Sequence, residues 1–163
     1  MRHAAVPRRL RPRRRTLNTK PLIGWREWIS LPDLGVDWIK AKVDTGAKSS
    51  SLHAWDIDVD ERAHIVHFSV HPLQDDESTV ISATAPLVEH REVRSSNGEV
   101  DERPVIRTVA LVHGAPFEIE LSLSRRDEMG FRMLLGRSAI KRRFVVDPGR
   151  SFLGGGDRFS RPS

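Results

Sequence analysis

Val36-Asp37-Trp38-Ile39-Lys40-Ala41-Lys42-Val43-Asp44-Thr45-Gly46-Ala47 reads as a strand that stops in a turn. Ile39, Ala41 and Val43 fall on one side at period two, with Lys40 and Lys42 on the other, the alternation of a half-buried strand. Where the strand stops, Asp44-Thr45-Gly46 supplies a carboxylate, a hydroxyl and a residue with no side chain. A carboxylate in that place reaches into a cleft. Thr45 is able to hydrogen-bond a counterpart across a two-fold axis, and Gly46 lets a backbone or substrate come close. Composition alone puts Asp-Thr-Gly in about 3% of chains of this length, and Asp and Gly also favour ordinary turns. The surroundings of the triplet therefore decide its meaning.

Period-two alternation continues through most of the chain. Phe117, Ile119, Leu121 and Leu123 share a face, with Glu118, Glu120 and Ser122 opposite. Val66, Phe68 and Val70 alternate likewise, and Val105, Arg107, Val109 and Leu111 form a further register. Short alternating strands between turn residues predict an all-β closed barrel or sandwich. Asn97-Gly98, between Val88–Arg94 and Val100–Val112, is the strongest hairpin signal. Only Arg137–Arg143, after Gly136, predicts a helix, and a short one. Internal repeats are absent, and Asp-Thr-Gly occurs once.

The chain has 163 residues, 38% hydrophobic and 30% charged, which suits one domain with a real core. It has no cysteine, so disulfides and thiolate metal sites are excluded, and a reducing cytoplasm fits. The net charge of +5 is unevenly placed. Residues 1–20 hold seven arginines and Lys20 with no acid, leaving the rest net negative. This basic arm is a candidate contact for RNA or another anionic surface, or else a leader with no dedicated partner. The arm and a polar tail over 154–163 are expected to be disordered, leaving one domain over 21–153. No apolar run approaches the roughly 20 residues of a bilayer span, so a soluble cytoplasmic protein with no membrane partner is expected. Trp25, Trp28, Trp38 and Trp55 are expected in the core or at a dimer interface. The domain's negative charge argues against a nucleic-acid stacking platform.

Ala41-Lys42-Val43-Asp44-Thr45-Gly46-Ala47, followed by Leu134-Leu135-Gly136-Arg137 and a short helix, resembles the retropepsin pattern. The resemblance extends to the bacterial RimK-associated proteins that carry the label ATP-dependent zinc protease. Their G-x-R-E element has its counterpart in Gly24-Trp25-Arg26-Glu27, and their active-site block continues here through Ser50, Leu52, His53 and Ala54. Gly98, Asp101, Glu102 and Arg103 follow, then Met129 and the Leu134–Arg137 block. The likeness covers about residues 22–153.

That resemblance implies a retropepsin-like barrel with a flap hairpin and a C-terminal helix, working as a homodimeric aspartic peptidase. Asp44, Thr45 and Gly46 would be catalytic, Asp44 pairing with its copy. Ala47, Lys48, Arg103 and Arg137 would meet the peptide or protein substrate. Arg137 would also brace the loop, although Lys48 stands where retroviral enzymes carry an acidic partner for it. The link to RimK, a ligase that adds glutamates to a ribosomal protein, points to a glutamate-tailed substrate, with Lys42, Lys48, Arg103 and Arg137 supplying positive charge. No cofactor is expected. The chain lacks His-Glu-x-x-His and any phosphate-binding Gly-rich loop, and His64, His67 and His71 do not converge on one strand face as zinc requires. His53, nine residues after Asp44, is a better candidate for a role near the site, or else for a structural hydrogen bond under the loop. Two other function classes stay open: a zinc-dependent hydrolase, and a non-catalytic module that binds a partner or the ribosome.

Overall fold

The computed structural model describes residues 20–154 apart from 75, 95–96 and 126–129. The arm expected over 1–20 and the tail over 154–163 thus lie outside it, but for Lys20 and Gly154, as does Met129. The chain order is β1 (Leu22–Gly24), β2 (Arg26–Leu31), β3 (Val36–Asp44), β4 (Ser50–His53), β5 (Trp55–Asp60), β6 (Ile65–Val70), β7 (Ile81–Arg94), β8 (Val100–Val112), β9 (Ala115–Ser124), β10 (Met133–Gly136), α1 (Arg137–Ile140) and β11 (Val145–Asp147). No helix among the described residues is long and apolar enough to cross a membrane.

The large sheet runs β2-β3-β10-β4-β9-β8-β7-β6-β5, and β2 also pairs with β8 through Ser30 and Leu111. That last pairing joins the first six strands into a closed barrel, which leaves them no free edge. β7 then leads outward: its first half pairs with β6 through Ile81–Pro86 and its second with β8 through Leu87–Arg94. The β7–β8 hairpin is the expected flap. Arg94 pairs with Val100, so the tip spans five residues rather than a two-residue Asn-Gly turn, and residues 95–96 of it are outside the described set.

The alternation along β3, β6 and β9 is as expected: Ile39, Ala41, Val66, Phe68, Ile119 and Leu121 are buried. Along β8 the inward face is Ile106, Thr108, Ala110 and Val112, while Arg107, Val109 and Leu111 look outward. Period two reveals the alternation but not its phase, and here both faces carry apolar residues. The helix is also shorter than Arg137–Arg143. It ends at Ile140 because Lys141 leaves helical geometry and Arg142 takes φ 71, which turns Phe144 inward to lie against Phe117 and His113. None of the four tryptophans is fully buried. Trp28 stacks on Phe152, Trp25 meets Phe131 edge-on, and Trp55 lies between His53 and His71.

Glu27 shows how the two ends of the domain are tied. Its carboxylate is 1% exposed and accepts hydrogen bonds from the backbone N–H groups of Gly24 (2.7 Å), Leu153 (2.8 Å) and Gly154 (3.0 Å). Beside it, the Arg26 guanidinium lies between the Trp25 and Phe152 rings and donates to Ser151 Oγ at 3.2 Å. Gly24 packs where any Cβ would strike the backbone of Arg150 and Ser151. The Gly-x-Arg-Glu element is thus a clasp on the C-terminal segment. Stranding the two buried donors, Gly24 and Gly154, costs about 1–3 kcal/mol apiece, with a smaller loss at the part-buried Leu153. Glu27→Ala is therefore expected to lower the melting temperature by roughly 8–16 °C. Glu27→Gln, which keeps an accepting oxygen, should lose less in the same thermal melt.

Candidate active site

Asp44 ends β3, and its neighbour across the sheet is Gly136, the last residue of β10, in a parallel register that runs from Ala41–Met133 to Asp44–Gly136. The strand therefore delivers the carboxylate to a rigid edge of the barrel. Beyond Asp44 the chain folds back on it: Oδ1 accepts from Gly46 N at 3.0 Å and Ala47 N at 3.1 Å. One carboxylate oxygen is fixed by its own loop. Asp44 stays half-exposed and Thr45 and Gly46 are exposed, so the loop presents an open face.

The loop is held from behind by α1. Arg137 N donates to Ala47 O at 2.7 Å and Ser138 N to Lys48 O at 2.9 Å. The Arg137 side chain reaches round to Thr45 O at 3.1 Å and Gly46 O at 3.4 Å. The expected brace exists, and it grips backbone carbonyls. This explains why it does not need an acid in the position that Lys48 occupies. Gly136 N donates to Ser50 Oγ at 2.9 Å, and Val43 N to Trp25 O at 2.8 Å, so three separate segments pin the loop's base. Ser50 and Trp25 were visible in the sequence only as letters of a pattern; nothing local marked them as supports. Removing the Arg137 fork while keeping its bulk frees the loop. Arg137→Met is expected to leave the protein folded but lower kcat roughly 10- to 100-fold, since small misplacements of reacting groups are costly. Steady-state kinetics beside a thermal melt check this.

The other candidates are dispersed. Ala47 and Lys48 continue the loop, with Lys48 exposed. Lys42 sits on β3 opposite the core, in register with Arg26 and Leu134. Arg103 is buried on the flap strand β8, and its Nε donates to Asp101 at 3.0 Å. His53 is buried under the loop strand, stacked on Trp55 with ring centroids 3.7 Å apart, and Arg132 Nη1 lies 3.4 Å from its Nδ1. His67 meets Thr84 Oγ1 and His71 meets Glu77 O, both at 3.0 Å, while His64 sits in a turn at φ 54. The described residues bring no three His, Cys, Asp or Glu side chains together in a way that could hold a metal ion.

A closed β-barrel whose strand end carries Asp-Thr-Gly, backed by an apolar-Gly-Arg strand in parallel register, defines the retropepsin-like class. Residues 22–155 match the model of the RimB-like family, described as retropepsin-like aspartic endopeptidase RimB, and the chain belongs to that family. It is 47% identical over 131 residues to a protein of Desulfotalea psychrophila named "Probable alpha-L-glutamate ligase", covering 79% of this chain and 28% of that one. A Shewanella halifaxensis protein of the same name is 42% identical over 137 residues, covering 83% and 30%. The chain thus spans less than a third of the length of these curated relatives. A solved structure of a Legionella pneumophila protein of unknown function is similar at TM-score 0.68 and 28% identity, over 83% of this chain and 98% of that one.

Proposed function

We propose that this protein is an aspartic-type peptidase whose catalytic centre forms when two copies bring their Asp44 loops together. The observation that carries this is the half-site itself: a carboxylate with one oxygen locked by Gly46 and Ala47, clamped from behind by Arg137 and open in front. A single chain holds one Asp-Thr-Gly, so a shared-proton pair requires a C2 dimer. Two carboxylates about 3 Å apart do not both ionise and hold one proton between them. The ionised member takes a proton from water as that water attacks the peptide carbonyl, and the protonated member donates to the developing oxyanion. Thr45, exposed on the same loop, would bond its copy across the axis. The β7–β8 hairpin would close over the bound chain.

For substrate we propose a glutamate-rich tail such as that of a ribosomal protein. The support is the name α-L-glutamate ligase on longer proteins that share this region; the peptidase would reverse such an addition. Incubating purified protein with a glutamate-tailed peptide should shorten it by mass spectrometry. Pepstatin should inhibit and a zinc chelator should not, and sedimentation should give a dimer. An active single subunit, or inactivation by the chelator alone, would sink this reading.

A further inference from the structure

The cations around Asp44 are not equivalent. Arg103 is bonded to Asp101 and Arg137 to the loop carbonyls, so both are committed within the fold. Lys48 is exposed and its carbonyl accepts from Ser138 N of α1, and Lys141, Arg142 and Arg143 follow, exposed, in the turn that ends the helix. No carboxylate among the described residues pairs with Lys48, Lys141, Arg142 or Arg143. Two open concavities link these residues. One, of about 560 Å³, runs from Lys48, Ser49 and Ser50 to Ser138 and Arg143. The other, of about 620 Å³, shares Ser138 and Arg143 and adds Lys141 and Arg142. The first also has an acidic wall of Glu89, Glu118 and Glu120, but these already face arginines: Arg91 meets Glu89 and Glu120, and Arg107 lies 3.3 Å from both Glu118 and Glu120. Three carboxylates against two guanidiniums leave that wall slightly negative, and Arg143 donates to Ala139 O at 3.4 Å and lies over Phe117, so the positive charge left to a ligand is that of Lys48, Lys141 and Arg142.

We propose that Lys48, Lys141 and Arg142 form an exosite for the acidic stretch of a polypeptide substrate that leaves the cleft past the Ala47–Lys48 end of the Asp44 loop. This rests on the peptidase reading above and specifies which cations serve it. The track starts at Lys48, at the end of the Asp44 loop that α1 backs, and side chains of a glutamate run, alternating along an extended backbone, would meet cations spaced along it. A nucleic acid suits the track less well, because no aromatic ring lines either concavity to stack a base.

The test separates binding from cleavage. Asp44→Asn protein is titrated with a fluorescent oligoglutamate-tailed peptide and with its oligoglutamine counterpart, by anisotropy, at low and high salt. The same background carries Lys48→Gln with Lys141→Gln and Arg142→Gly, the last chosen because glycine accepts the positive φ there at no cost. Arg143 is left in place, since it packs over Phe117. Affinity for the glutamate peptide should fall roughly tenfold or more in the triple variant, and likewise with salt in the parent, while the glutamine peptide binds weakly to both. Lys141→Glu alone, with an unchanged thermal melt, should weaken binding in the same direction. Equal glutamate-peptide affinity in the parent and both variants overturns the exosite. So does an oligouridylate that displaces the peptide and loses its own affinity in the triple variant. Absence of cleavage by wild type, with binding intact, would instead overturn the catalytic reading alone.

Discussion

If the proposed reading holds, Asn in place of Asp44 is expected to lower peptide hydrolysis by roughly 10³-fold or more, with the melting temperature and the proposed dimer close to those of the parent. The expectation follows from what each oxygen does. The Asn side chain keeps an oxygen where Oδ1 accepts from Gly46 N and Ala47 N, so the loop's own hydrogen bonds persist. What it cannot do is share a proton with a second carboxylate or take one from water, and loss of that acid–base step costs about 10²–10⁴-fold in rate. Because each dimer would carry the change twice, no intact pair remains. Burst-free steady-state assays on a glutamate-tailed peptide, with calorimetry alongside, measure both halves. Retained activity would mean that Asp44 is not the general base.

Gly136→Ala is expected to damage fold and site together. A Cβ at Gly136 would overlap the carbonyl carbon and oxygen of Ser49, which are backbone and cannot swing aside. The same residue pairs with Asp44 and donates to Ser50 Oγ, so relief can come only by moving the strand that carries the Asp44 loop or the segment behind it. Overpacking against backbone costs about 3 kcal/mol or more, and a melting temperature lower by roughly 6–12 °C should follow. Activity per folded molecule should also fall, because Arg137, the next residue, loses its aim at Thr45 and Gly46. A variant that melts and turns over like the parent would show that the β3–β10 contact is slacker than described.

Much of this molecule was legible before any coordinates. Alternation in β3, β6 and β9 announced a β protein, and Asp44-Thr45-Gly46 with Leu134-Leu135-Gly136-Arg137 announced its class. Such signals survive in a linear string because they are local: period two needs only neighbours, and a motif needs only spacing. What could not be read there shares the opposite cause. The phase of β8 depended on which face met β9 and the core, and the helix length on where Phe144 had to go. The tryptophans were expected in the core or at a dimer interface; all four are partly exposed, and two of them meet rings far along the chain, Phe131 for Trp25 and Phe152 for Trp28.

From its residues alone, then, this protein declares an all-β fold and a carboxylate loop, because backbone alternation and turn chemistry act over a few positions. Tertiary structure alone decided that Arg137 holds loop carbonyls rather than an acid, that Glu27 ties both ends of the domain, and that Arg103 is spent on Asp101 while Lys48 is not. Those outcomes rest on which distant segments come within hydrogen-bond reach, and only barrel closure sets that.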